Sequence, residues 1–303
     1  MKDIPKSKIQ NLKVFDSHVH FWNYDASNPE FDWIDEGMDN IKKSFLPQDL
    51  INCINNQLYV GRETVNYQLS TINYSCIAVQ AAPSWQETEF LLNLASKYDF
   101  IKGVIGWIDF EDSVQNHQLS TNNYQLLKGF RHIIQSESHG YMSSDVFRYF
   151  ISKLKNNNYT YDLLLKPHQL SEALELVQEF PNQKFVIDHL AKPDIRNQDV
   201  DQWKSDIQEF KHLPNVYCKL SGMVTEAYWQ SWQKEDFTKV LDVAFQTFGT
   251  DRLMYGSDWP VCLLAADYQQ VYEIVASCIE RLSEAEQQKI MCHTAMTFYN
   301  ISI

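Results

Sequence analysis

Eight short runs of β-branched, aliphatic and aromatic residues recur along this chain, separated by longer stretches that mix polar and apolar residues. They start at Leu12 (LKVFDSHVHF), Tyr74 (YSCIAVQAA), Ile101 (IKGVIGWIDF) and Leu126 (LLKGFRHII). They continue at Tyr159 (YTYDLLLK), Lys184 (KFVIDHLA), Val216 (VYCKLSG) and Arg252 (RLMYGSDW). Most are apolar at successive positions, the pattern of parallel strands covered on both faces. Several stretches between them have helical period, among them residues 169–180, 201–213 and 234–248. In the first of these, Leu170, Leu174 and Val177 fall along one stripe.

Eight strands, most of them followed by a helix, in 303 residues predict an α/β protein: a single (β/α)8 TIM barrel, with residues 1–303 as one domain. A doubly wound open sheet alternates in the same way. However, no GxGxxG follows the first run and no P-loop occurs, which weakens a nucleotide-binding reading. Two segments interrupt the alternation. Residues 23–45 are polar and aromatic and too long for a plain connection, so they are expected to form a lid or wall over the active site. Residues 111–125 are polar with a weak helical pattern.

Charge narrows the function. Lys plus Arg is 26 against 39 Asp plus Glu, a net charge of -13, which repels phosphate backbones and anionic headgroups. Nucleic-acid and membrane-surface partners are therefore not expected, and a small-molecule substrate is. Six scattered cysteines without a CxxC pair fit thiols in a reducing compartment. The opening MKDIPKSKIQNLK lacks the apolar core of a signal peptide, and no apolar run is long enough to span a bilayer. A cytoplasmic protein is the expectation, and a homo-oligomer is left open.

Chemistry-bearing residues stand at the ends of three runs. His18 and His20 are two apart, so in a strand both face the same side, where paired imidazoles suit a divalent metal or an oxyanion. Asp188 and His189 end the sixth run before Pro193, and Asp258 ends the eighth. Taken singly, each has a bland explanation: buried histidines satisfied by backbone, an Asp–His hydrogen bond, a helix cap. In a barrel, the C-terminal ends of strands one, six and eight converge on one pocket, and that convergence reads as catalytic.

DSHVHFW, KGFRHIIQ, FVIDHLAKP, CKLSGMVTEA and GSDWPVC, in this order, resemble the amidohydrolase superfamily in its sugar-lactonase branch. That branch holds L-fuconolactonase and L-rhamnonolactonase and, more remotely, 2-pyrone-4,6-dicarboxylate lactonase. The resemblance runs from about Val14 to Asn300 and implies a hydrolase that opens a sugar lactone. It makes Asp258 the general base, and His18, His20 and His189 the cluster that steadies the oxyanion. Arg131 and His132 become substrate contacts, and Trp22 and Trp259 walls of the pocket, with Trp33 expected near the mouth. It also allows one divalent metal, zinc or manganese, on His18, His20 and Asp258. Metal-dependent relatives carry a further ligand on strand five, where this chain offers only His168, so the reading leans toward a metal-independent enzyme. A metal-dependent decarboxylase or amidase and a non-catalytic sugar-acid-binding barrel are the alternatives. With Arg131 as the one arginine placed at the pocket, a neutral sugar lactone is expected over the pyrone dicarboxylate.

Overall fold

The computed structural model describes residues 13–57, 74–110 and 124–302. Eight parallel strands lie in one sheet in sequence order: β1 (Val14–Val19), β2 (Tyr74–Val79), β3 (Ile101–Gly106), β4 (Leu127–His132), β5 (Thr160–Leu163), β6 (Phe185–Ile187), β7 (Val216–Leu220) and β8 (Leu253–Tyr255). The helices between the described strands include Trp85–Lys97, Asp145–Leu154, Leu170–Glu179, Asp201–Gln208 and Thr238–Phe248. This is the eight-unit barrel that the alternation predicts. The helix expected over 201–213 gives way at Glu209 to a 3-10 turn, and that over 234–248 begins as one. Residues 111–123 lie outside the described part of the chain, and with them most of the polar segment at 111–125.

Most strands are largely apolar at successive positions because both faces are buried, although Lys102 of β3 is exposed. Outward-facing Cys76, Ala78, Val104, Phe130, Tyr161 and Leu163 pack in the cluster that also takes in the helices. Inward-facing Phe15, Ile77, Val79, Ile105, Val186 and Met254 form a second cluster with Cys292, Ala295, Met296, Phe298 and Tyr299. The last helical run, 284–298, thus plugs the N-terminal mouth of the barrel, held there by Lys184 Nζ on the carbonyls of Thr297 and Phe298. Among the described residues, this leaves the C-terminal mouth for a substrate.

β1 carries a bulge between Asp16 and Val19. The bulge changes the parity of the strand. Phe15 points into the barrel and Asp16 out toward Tyr74 and Tyr268, yet His18 and His20 point inward again. β1 and β8 close the barrel at this end through His20 N–H to Trp259 O, 2.7 Å, and Asp258 N–H to His18 O, 2.9 Å. The segment at 23–45 is pinned at its ends, where Trp22 and Phe45 exchange backbone hydrogen bonds of 3.0 and 2.9 Å. Within it, Phe31, Ile34 and Ile41 are buried.

Candidate active site

Lys219, Asp162, Asp188 and Arg131, charged residues within or just past the apolar runs, turn into the barrel and form one layer above the plug. Lys219 of β7 reaches Asp162 of β5 at 2.5 Å and Asp188 at 2.9 Å, and Arg131 of β4 reaches Asp188 at 3.1 Å. Arg131 also donates to the Gln80 carbonyl, and Tyr299 rises from the plug to donate to Asp162 at 2.9 Å. Two cations and two carboxylates cancel. Burial works to raise Asp188, but the Lys219 ammonium, His18 and Arg131 hold it well below the usual carboxylate range. Burial pushes Asp162 up despite the same ammonium.

Directly above this layer stand the three imidazoles. His18 Nδ1 lies 3.1 Å from Lys219 Nζ, and its Nε2 lies 3.2 Å from Arg131 Nη1 and 3.2 Å from His20 Nε2. Burial first, then the Lys219 ammonium, keeps His18 well below the ordinary imidazole range, so it is neutral. His20 Nδ1 donates to the Val79 carbonyl at 2.8 Å, which turns Nε2 inward. Asp258 Oδ1 is the meeting point, 3.3 Å from His20 Nε2, 3.8 Å from His18 Nε2 and 3.9 Å from His189 Nε2. Burial works to raise the Asp258 carboxyl, but His189, His20 and His18 outweigh it and hold the group well below its ordinary range. Asp258 is therefore a buried anion.

His189 reaches this point by an unusual backbone route. The sixth strand ends at Ile187, and His189, Leu190, Ala191 and Lys192 all take left-handed φ values of 53–58°. Four such non-glycine residues in succession are costly, at about 1–2 kcal/mol each. The turn is held by Trp203 Nε1 donating to the Leu190 carbonyl at 2.7 Å and by Lys192 N–H to His189 O at 2.8 Å. Ser221 Oγ lies 2.8 Å from His189 Nδ1, and Gly222, itself at φ +60°, packs so closely that a Cβ there would lie 2.4 Å from Nδ1. Burial pushes the His189 pKa down to about 4.

Thus His18, His20, His189, Asp258 and Arg131 come together. His132 does not join them. Trp107 donates to its Nδ1 at 3.3 Å, its Nε2 bonds Glu137 at 2.8 Å, and Tyr141 stacks on its face. Trp22 and Trp259 are each 1% exposed and pack on Phe45, so they back the histidines from within the wall. Trp33 packs edge-on against Trp22 and is only partly buried. His168 is exposed, after the end of β5, and strand five presents Asp162 inward instead. Lys219, Asp162, Ser221 and Gly222 are the residues that motif reading leaves without a role. The sequence signal for the first two is a charge inside an otherwise apolar strand, where it must find a partner.

His18, His189 and Asp258 each offer one ligand atom within 4.8 Å of the others, a group that can hold a metal ion. The ligands of tetrahedral zinc lie about 3.3 Å apart, close to the spacings around Asp258 Oδ1. In the expected set His20 stood where His189 stands in this group. His20 and His189 have Nδ1 engaged and Nε2 turned to the site, as metal-binding imidazoles do. The donor set fits a divalent ion, although His18 is flanked by an ammonium and a guanidinium that already supply positive charge. Among the described residues, no helix is long and apolar enough to cross a membrane.

The chain is 34% identical to L-fucono-1,5-lactonase of Burkholderia multivorans over 296 residues, 94% of this chain and 95% of that protein. It is 26% identical to L-rhamnono-gamma-lactonase of Scheffersomyces stipitis, over 97% of this chain and all of that one. A crystal structure of a Burkholderia multivorans amidohydrolase with bound zinc superposes with a TM-score of 0.86 at 34% identity, covering 95% of this chain and 99% of the other. The Amidohydrolase family model matches residues 15–301, essentially the whole barrel, and the chain belongs to that family.

Proposed function

We propose that this protein is a hydrolase opening sugar-derived lactones, aldonolactones, with water activated by Asp258. The observation that carries the reading is the Asp258 carboxylate, ionised and buried, with three imidazole Nε2 atoms 3.3–3.9 Å from one of its oxygens. An anion with that access can take a proton from water, and imidazole and guanidinium donors stand where the carbonyl oxygen becomes negative. Asp258 takes one proton as the hydroxide adds to the carbonyl carbon. The tetrahedral adduct collapses with cleavage of the ring C–O bond, and the Asp258 carboxyl returns the proton to the departing alkoxide. The product is the open hydroxy acid. His18 and Arg131 hold the oxyanion, and His20 and neutral His189 orient substrate or water beside the base.

A divalent ion on His18, His189 and Asp258, with His20 adjacent, would supply Lewis acidity to the carbonyl and lower the pKa of water. Arg131 Nη1, 3.2 Å from His18 Nε2, supplies positive charge at the same place from the chain itself, which supports a metal-independent enzyme. The ionic layer beneath cancels internally, and with His18 and His189 neutral the site favours an uncharged lactone over a dicarboxylate. A pH-indicator screen should detect acid release from L-fucono-1,5-lactone and L-rhamnono-gamma-lactone above the spontaneous rate. Chelated, metal-analysed protein should retain that activity. Absence of turnover on every lactone of an aldonolactone panel overturns the reading.

A further inference from the structure

The motif CKLSGMVTEA carries near its end a carboxylate, Glu226, that the hydrolytic chemistry leaves unused. Glu226 follows β7, and Lys192 closes the left-handed turn that begins at His189, one backbone hydrogen bond away. Lys192 Nζ lies 3.8 Å from Glu226 Oε1, beyond hydrogen-bond range, with side chains 24% and 26% exposed. Among the described residues no hydrogen bond reaches either side-chain head. Arg196 pins the two loops together, its N–H on the Glu226 carbonyl at 2.9 Å and its guanidinium over the Tyr228 ring at 5.4 Å. The backbone stretches that carry Lys192 and Glu226 are therefore held side by side. Burial raises the Glu226 carboxyl, Lys192 opposes this, and the Asp258 charge is close enough to add to it.

We propose that Glu226 and Lys192 form the subsite that reads the hydroxyl groups of the sugar lactone. A carboxylate accepts two O–H bonds from neighbouring hydroxyls, and an ammonium donates to hydroxyl oxygens. The two heads are paired with each other only as an ion pair at 3.8 Å, and their hydrogen-bonding capacity is open to a ligand. The turn that presents His189 to the ester also presents Lys192 one turn further on, so the reacting carbonyl and the polyol are registered by one piece of backbone. This inference rests on the lactonase reading.

The test is discrimination rather than rate. kcat/KM is measured for L-fucono-1,5-lactone and for δ-valerolactone, which lacks hydroxyls, in the wild type, Glu226→Gln and Lys192→Gln. The ratio of the two should fall at least about tenfold in each variant, the size of one charged hydrogen bond, and the fall should lie in KM. A ratio that stays put, whether both rates drop together or neither does, overturns the subsite while leaving the lactonase intact. Calorimetric binding of L-fuconate against 5-hydroxypentanoate reads the same discrimination without turnover. Equal preference in wild type and Glu226→Gln there overturns it independently of the proposed reaction.

Discussion

The backbone amide of Asp258 donates to the carbonyl of His18 at 2.9 Å, so the proposed base and an oxyanion imidazole are fastened to each other by the bond that closes the barrel. Asp16 reinforces the seam from outside. Its Oδ1 accepts the amides of His18 at 3.2 Å and Ser257 at 2.8 Å, while Tyr74 and Tyr268 hold its Oδ2. The geometry of the base is set by main chain, and side-chain replacement there tests chemistry rather than folding.

Asp258→Asn should lower kcat by about 10²–10⁴-fold, because an amide cannot take a proton from water, while the melting temperature moves little. Retention of more than about a tenth of wild-type turnover would make Asp258 a cap for the following turn and shift the base to another residue.

Gly222 and Gly249 offer a matched pair. Both have positive φ, +60° and +62°, but a Cβ at Gly249 meets nothing within 4 Å, whereas one at Gly222 strikes the His189 ring at 2.4 Å. Each alanine should cost about 1–3 kcal/mol in urea unfolding. Gly222→Ala alone should lose turnover, by at least about tenfold, through displacement of His189. Equal activity in the two variants contradicts the placement of His189.

Trp203→Phe removes the indole donor to the Leu190 carbonyl and keeps most of the packing. Stability should fall by about 1 kcal/mol, and kcat should fall with it because the left-handed turn loosens. A stability loss with unchanged kcat would mean that the turn holds His189 without this bond.

With His189 pushed down to about 4 and Asp258 held lower still, both stay deprotonated well into acid. As pH falls, kcat/KM should stay level to about pH 5 and decline only as His189 takes a proton near 4. Stability follows the same sign. An unfolded imidazole titrates near 6.5, so the share owed to neutral His189 is whole above that pH and shrinks as pH falls toward 4. A pH–rate profile with an acid limb near 6.5 refutes the assignment.

Lys219→Met should destabilise the fold by about 3–5 kcal/mol, since Asp162 and Asp188 lose the cation between them. Adding Asp162→Asn restores the charge balance and should recover part of that loss in a double-mutant cycle. Additive losses would show that the two do not act as a pair.

The sequence alone determined eight buried strands alternating with helices, because a strand covered on both faces is largely apolar at successive positions, and its resemblance to the amidohydrolases favoured the closed barrel over an open sheet. It also determined which polar residues end strands one, six and eight. The tertiary structure decided how they are aimed. The bulge that turns His18 and His20 inward depends on the register of β1 against β2, and the left-handed turn at His189 opposes local preference, held by Trp203, Ser221 and Gly222, which lie far from it in sequence. Lys219 and Asp162 could be seen as charges in apolar strands, but their partners could not, since each partner sits on another strand. His132 shows the converse. Its place after Arg131 marked it as a substrate contact, yet Trp107 and Glu137 occupy both its ring nitrogens, because the loops that carry them fold over the end of β4.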